Sequence, residues 1–375
     1  MGDNRFTRAT FASARDTYVP SSGPATRSGA EKVYQTGKLD PLVDPAGYDV
    51  VRRSLIRFKE RPDGLYTVTV GLPVPVEIRL DTTGSMGSNV DKALKVLPDT
   101  YELTSGMLPE ADLQMAIGIF ADCIDRFVLC RPQFEMTADK LVNQLTLMVP
   151  ESGGGGNGGE DPQYGLFGAA YLTNAYINRI GLRGYDFTIT DEPARAHLSS
   201  YELERVFGPS VFEKASLNGY DISRNELPST EQVITDLQKR AHAFVLLVGN
   251  RSDASAFWPT VIDDSRIIRL PRVELLPQVQ ASIIGLTEGT LTLQSIDKFL
   301  AEAGVNTYDA EAIIRSVANI PLGAQAALPN FGMGPKVGDV FADKADLWPL
   351  DPEEVPALPE ENDDELAPAN GPGWL

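Results

Sequence analysis

The stretch VPVEIRLDTTGSMGSN, residues 74–89, decides the reading of this chain. Val76, Ile78 and Leu80 alternate as in a β-strand. The strand stops at Asp81, and Thr82, Thr83 and Ser85 follow around Gly84. Helical spacing then sets in, with Val90, Ala93, Leu94 and Leu97 on one side of a helix. Ser88 and Asp91 have the spacing of a capping box. A carboxylate and several hydroxyls therefore sit where a strand turns into a helix. In such a turn alternate residues point into one small space, so Asp81, Thr83 and Ser85 offer an all-oxygen set. Oxygen ligands suit a hard cation, magnesium first, with manganese or calcium as alternatives. The same residues are also ordinary turn and cap chemistry, so support has to come from elsewhere in the chain.

Two later segments supply it. YDFTIT, residues 185–190, reads as a strand and also ends in an aspartate, Asp191. Between the two lies ESGGGGNGGEDPQYG, residues 151–165, a flexible loop that offers Asn157, Glu160 and Asp161. Open α/β sheets bind ligands beyond the carboxyl ends of their strands. Three oxygen-bearing loops after strands of one sheet can meet at one ion.

Strand and helix signals alternate from residue 74 to about 285. LQMAIGIF, AFVLLVG and RIIRL read as further strands. ADKLVNQLTLMV, YGLFGAAYLTNAYI and STEQVITDLQKRAH read as helices, and residues 200–230 as a helical insertion. This order predicts an α/β domain with a doubly wound, mostly parallel sheet over 74–285. Around it the expected parts are an arm over 1–50, a β-hairpin over 51–73, helices over 286–320, and a Gly/Pro linker with an acidic tail over 321–375. The arm is basic by three charges over residues 1–60. The tail carries ten acids against one Lys from residue 341 onward, a composition that resists a packed core.

Asp-x-Thr-x-Ser after a strand, a Gly-rich acidic loop, and then strand-Thr-Asp resembles a von Willebrand factor A (VWA) domain. DTTGSM, GGGGNGGE and DFTITDE are similar to an uncharacterised prokaryotic and phage subgroup. The resemblance covers about 210 residues and leaves the flanking arms aside. It implies a metal-ion-dependent adhesion site (MIDAS) in which Thr83 and Ser85 ligate the ion directly and Asp81 does so partly through water. Asp191 would hold a further water or ligate directly. Many members place a threonine in the third loop, where this chain has Glu160, with Asn157 as the alternative ligand. It further implies that a partner protein's carboxylate completes the coordination, and in bacteria a link to MoxR-type AAA+ ATPases. Glu192 and Arg195, beside Asp191, are candidates for the partner-binding rim.

The remaining features narrow the function classes. A net charge of −19 over 375 residues opposes non-specific nucleic-acid binding. Cys123 and Cys130 give neither a disulfide framework nor zinc spacing, so a cytoplasmic setting is expected. His197 and His242 show no metal spacing. No apolar run approaches the ~20 residues that span a bilayer. The glycine run lacks the Lys-Ser/Thr ending of a P-loop. A magnesium-dependent phosphohydrolase of the haloacid dehalogenase type needs Asp-x-Asp, and Thr83 stands where its second acid would act. The expectation is therefore a protein-binding module and not an enzyme. A structural component of a phage or bacterial particle is the alternative.

Overall fold

Leu72–Asp81 forms the central strand (β1), buried along its whole length. The computed structural model describes residues 27–47, 52–54, 56–60, 66–68, 72–108, 111–151, 159–328, 340–341 and 347–348. The other strands of the main sheet are β2 (Ala111–Phe120), β3 (Leu129–Cys130), β4 (Gly184–Thr190), β5 (Ala241–Val248) and β6 (Ile267–Leu270). Their spatial order is 3-2-1-4-5-6. Every pairing is parallel except that of β2 with the edge strand β3. The chain is thus an α/β protein with a doubly wound, mostly parallel sheet, as its alternating pattern predicts.

Helices cover both faces. On one, Val74, Val76, Ile78 and Leu80 of β1 join a core with α1 (Asn89–Met107), α2 (Ala138–Leu147) and α5 (Leu276–Glu288). On the other, α3 (Pro162–Tyr171) and α4 (Thr230–Gln238) pack with Ala243, Val245 and Leu247 of β5. Each Val, Ile or Leu side chain so buried contributes about 1.5–3 kcal/mol.

The second face of β1 is charged. Arg79 donates to both oxygens of Asp186 on β4. Arg131 donates to Glu77 through Nε and Nη2, both at 2.9 Å. All four residues are at most 4 % exposed. Helix α3 can lie over them because it carries glycines there. A Cβ at Gly165 would stand 2.3 Å from Arg79 Cδ, and one at Gly168 would stand 3.1 Å from Arg131 Nη1.

Several elements differ from the sequence reading. Ser88 takes a helical backbone and makes no side-chain cap bond, because residues 84–88 already turn before α1 begins. The predicted helix over 164–177 ends at Tyr171, and Thr173–Ala175 instead pairs with Arg52–Ser54. Residues 27–47, read as part of an arm, contain the helix Arg27–Thr36 and bury Val33, Leu39 and Val43 in the core. Val43 O accepts from Arg131 N at 2.9 Å, beside the edge strand β3. The C-terminal helices α6 (Ile296–Glu302) and α7 (Thr307–Val317) bury Ile296, Leu300, Ile313 and Val317 in the same core as β1.

The expected hairpin pairs Ile56–Glu60 with Tyr66–Val68. Val340–Phe341 and Leu347–Trp348 flank it, so part of the expected tail returns to the N-terminal hairpin. Of the expected arm, residues 1–26 and 48–50, and of the expected linker and tail, residues 329–339, 342–346 and 349–375, lie outside the described residues. Among the described residues no helix is long and apolar enough to cross a membrane.

Candidate metal centre

The strand order places β1 beside β4, and their helical connections leave on opposite faces of the sheet. That is the switch point where doubly wound sheets open a crevice at their carboxyl ends. Leu80 pairs with Ile189, so Asp81 and Thr190 come level at the crevice floor. Thr190 Oγ1 donates to Asp81 Oδ2 at 2.7 Å. The other oxygen, Asp81 Oδ1, accepts from Thr83 N at 2.9 Å and Thr83 Oγ1 at 2.7 Å. Thr83 Oγ1 lies 3.2 Å from Ser85 Oγ, which donates to Asp191 Oδ1 at 2.8 Å.

Asp81, Thr83, Ser85 and Asp191 therefore form one continuous chain of oxygens across two strand ends. It runs from the fully buried Asp81 out to the exposed Ser85. Thr82 points the other way, its N and Oγ1 both donating to Phe120 O on β2. The alternation read from the turn is thus present in the fold. Thr190 was not singled out from the sequence. Its position next to Asp191, at the end of an apolar strand, was the available signal.

The third loop arrives from α3's side. Glu160 N donates to Pro193 O at 3.0 Å, which lays residues 159–161 along the loop after β4. The Glu160 side chain is 4 % exposed, and its Oε2 has no hydrogen-bond partner. Burial pushes the Glu160 carboxyl up to about 8, with the charges of Asp81, Glu192 and Asp122 adding to the effect and a hydrogen bond from Thr83 opposing it. Asp81 is pushed up to about 6, again chiefly by burial, with Asp191 contributing and bonds from Thr83 and Thr190 opposing. Among the described residues no ion pair reaches the Asp81 or Glu160 carboxyl itself. Asn157 lies outside the described residues.

The donor set fits a hard divalent cation on two grounds. Every side-chain donor is an oxygen, and the orphaned Glu160 oxygen is a buried polar atom that requires a partner.

The residues expected at the rim have partners inside the molecule. Glu192 Oε1 accepts from Arg251 Nη1 at 2.5 Å, and Arg251 also binds Asp253. Arg195 Nε donates to Asp161 Oδ1 and Nη2 to Asp122 Oδ2, both at 3.1 Å. Asp122, Cys123 and Asp161 form a second acidic group with ligand atoms within 4.8 Å of one another. Its positive charge is already present, in the Arg195 guanidinium. Cys123 N at 2.6 Å further satisfies Asp161, and Ile124 N at 3.0 Å satisfies Asp122. Burial pushes the thiols of Cys123 and Cys130 up to about 12, so neither is a reactive thiolate near neutral pH. His197 is exposed, and His242 is buried against Gln325 Oε1 at 3.0 Å. Neither reaches the centre by any contact described.

No protein-family model matches the chain, and no curated protein matches it. Solved structures do show likenesses at low identity. Proximal thread matrix protein 1 from the mussel byssus is 11 % identical, with a TM-score of 0.35 over 59 % of this chain and 47 % of that one. The same protein with a zinc-occupied MIDAS motif is 11 % identical, with a TM-score of 0.36 over 58 % and 46 %. The vWF domain of the type V pili tip protein Mfa5 from Porphyromonas gingivalis is 11 % identical, with a TM-score of 0.38 over 58 % of this chain and 95 % of that domain. The matched region spans about half the length of the mussel protein. Identity this low says nothing of shared ligands.

Proposed function

We propose that this protein is a metal-dependent protein-binding module of the VWA type. Asp81, Thr83, Ser85, Glu160 and Asp191 would hold a divalent cation, magnesium first and manganese or calcium as alternatives. A partner protein would supply a further oxygen. The observation that carries the reading is the oxygen chain from Asp81 through Thr83 and Ser85 to Asp191, with the unpartnered Glu160 oxygen beside it. Magnesium keeps several waters and exchanges one for an incoming oxygen. Ser85, at the exposed end, marks the side from which a partner approaches.

Charge tunes what the ion accepts. With Asp81, Glu160 and Asp191 all ionised, three negative charges face a dication, and an incoming carboxylate meets net repulsion. A neutral partner oxygen, such as an amide carbonyl or a hydroxyl, binds without that cost. Glu192, paired with Arg251, and Arg195 flank the opening as its rim. Thr83 stands where a phosphohydrolase's second acid would act, so it supplies no general acid or base beside Asp81 near neutral pH. An adaptor or assembly role, including one with a MoxR-type ATPase, follows from the same reading.

Calorimetry with magnesium on the wild type and on Asp81→Ala tests the metal step. Binding of one ion by the wild type and its loss in the variant is the expected outcome. Equal heats would refute it. Pull-down with magnesium and then with chelator tests the partner step, where retention of the partner in chelator would count against a metal bridge.

A further inference from the structure

We propose that Arg195 is the positioning residue of the cation centre, holding Glu160 in place through the residues on either side of it. This rests on the metal-binding reading above. The segment before Glu160, SGGGGNGG over 152–159, is glycine at six of eight positions. Glycine brings no preferred backbone conformation and loses the most entropy on ordering. A glycine run by itself sets no register for the residue that follows it, so the placement of Glu160 calls for anchors at and after residue 159.

Arg195 provides two of those anchors with one planar group and ties them to a third residue. Its Nη2 donates to Gly159 O at 3.0 Å, and its Nε to Asp161 Oδ1 at 3.1 Å. The same Nη2 donates to Asp122 Oδ2 at 3.1 Å, in the loop after β2. Gly159 and Asp161 are the two neighbours of Glu160. Both neighbours are thus held by Arg195, while the Glu160 carboxyl feels the charge of Asp81 and a hydrogen bond from Thr83. Asp161 is tied to the β2 loop as well, through Cys123 N at 2.6 Å. The Arg195 backbone is held from behind, where Thr230 Oγ1 donates to Arg195 O and Thr230 N to Ala196 O. One side chain therefore joins the loops after β2 and β4 to the end of the Gly-rich loop. Lysine could supply the charge but not the fork that reaches a carbonyl and two carboxylates together.

A double-mutant cycle read by magnesium calorimetry tests this. Arg195→Gln is expected to lower magnesium affinity about tenfold or more, as loss of a group that orients a ligand does. Arg195→Lys is expected not to restore it. In a Glu160→Gln background, Arg195→Gln is expected to cost nothing further, because it acts through Glu160. Thermal melts in chelator accompany each variant. Should Arg195→Gln fail to fold, Arg195→Gln with Asp122→Asn removes one of the two buried carboxylates left without a counter-charge and is expected to show the same coupling. Unchanged affinity in Arg195→Gln, rescue by lysine, or fully additive losses in the cycle would overturn the proposal. A wild type that binds no magnesium would instead sink the metal reading on which it rests.

Discussion

Metal binding at this centre is expected to expel a proton, and the proton is expected to come from Glu160. Its carboxyl is pushed up to about 8 by burial beside other carboxylates, so at pH 7 about nine-tenths of it is protonated. Asp81, pushed up to about 6, is about one-tenth protonated there. A cation binds the ionised forms, so about one proton leaves per ion at pH 7. Affinity follows the ionised fraction. For Glu160 that fraction rises from about 1 % at pH 6 to about half at pH 8, a gain of about 50-fold. Asp81 adds about twofold over the same interval, for about a hundredfold in all. Isothermal titration of magnesium in two buffers of different ionisation enthalpy measures both the affinity and the proton count. Glu160→Gln is expected to cut the proton count at pH 7 to about a tenth and the pH gain to about twofold. An affinity that stays flat from pH 6 to 8, or a proton count unchanged by Glu160→Gln, would refute the reasoning.

The same shifts set the metal-free stability. Both carboxyls titrate above their ordinary values of 4.5 and 3.8, so the unfolded chain gives up these protons first. Their support for the fold is complete below about pH 4. It is lost through about pH 6 for Asp81 and about pH 8 for Glu160, and thermal melts with chelator are expected to decline across that window. Magnesium at about 100 times its dissociation constant is expected to restore about 2.7 kcal/mol. Ser85→Ala alters an exposed hydroxyl, so denaturant unfolding in chelator should change by no more than about 0.5 kcal/mol while magnesium affinity falls. Asp186→Asn leaves Arg79 buried without its counter-charge, and urea unfolding should show a loss of about 3–5 kcal/mol. Gly165→Ala puts a methyl onto Arg79 Cδ and is expected to cost about 1–3 kcal/mol in the same assay. A variant as stable as wild type would mean that α3 does not lie so close to β1.

The order of strands and helices was legible because each buried strand is a short apolar run and each helix an amphipathic one. Asp81, Thr83, Ser85 and Asp191 were legible for a similar reason. They follow directly on strand ends, where polar residues have no place in a core. Glu160 was harder to single out, since a glycine run gives no register and Asn157 is equally polar. The edge strand β3 escaped notice because two residues, Leu129–Cys130, are too short for a period. Helix α5 escaped because it is apolar almost all round, its buried residues running from Leu276 to Thr287, so no single face identifies it.

Local pattern by itself determined the fold class and the residues at which strands stop. Which strand ends become neighbours was decided only by the tertiary structure, through the packing that sets β1 against β4 and brings Thr190 to Asp81. The partners of Arg195, Arg79 and Arg131 were decided there too. Charge attraction between groups tens of residues apart leaves no periodic trace along the chain. Burial raises the cost of leaving such a group unpaired, and so selects its partner once the chain is folded.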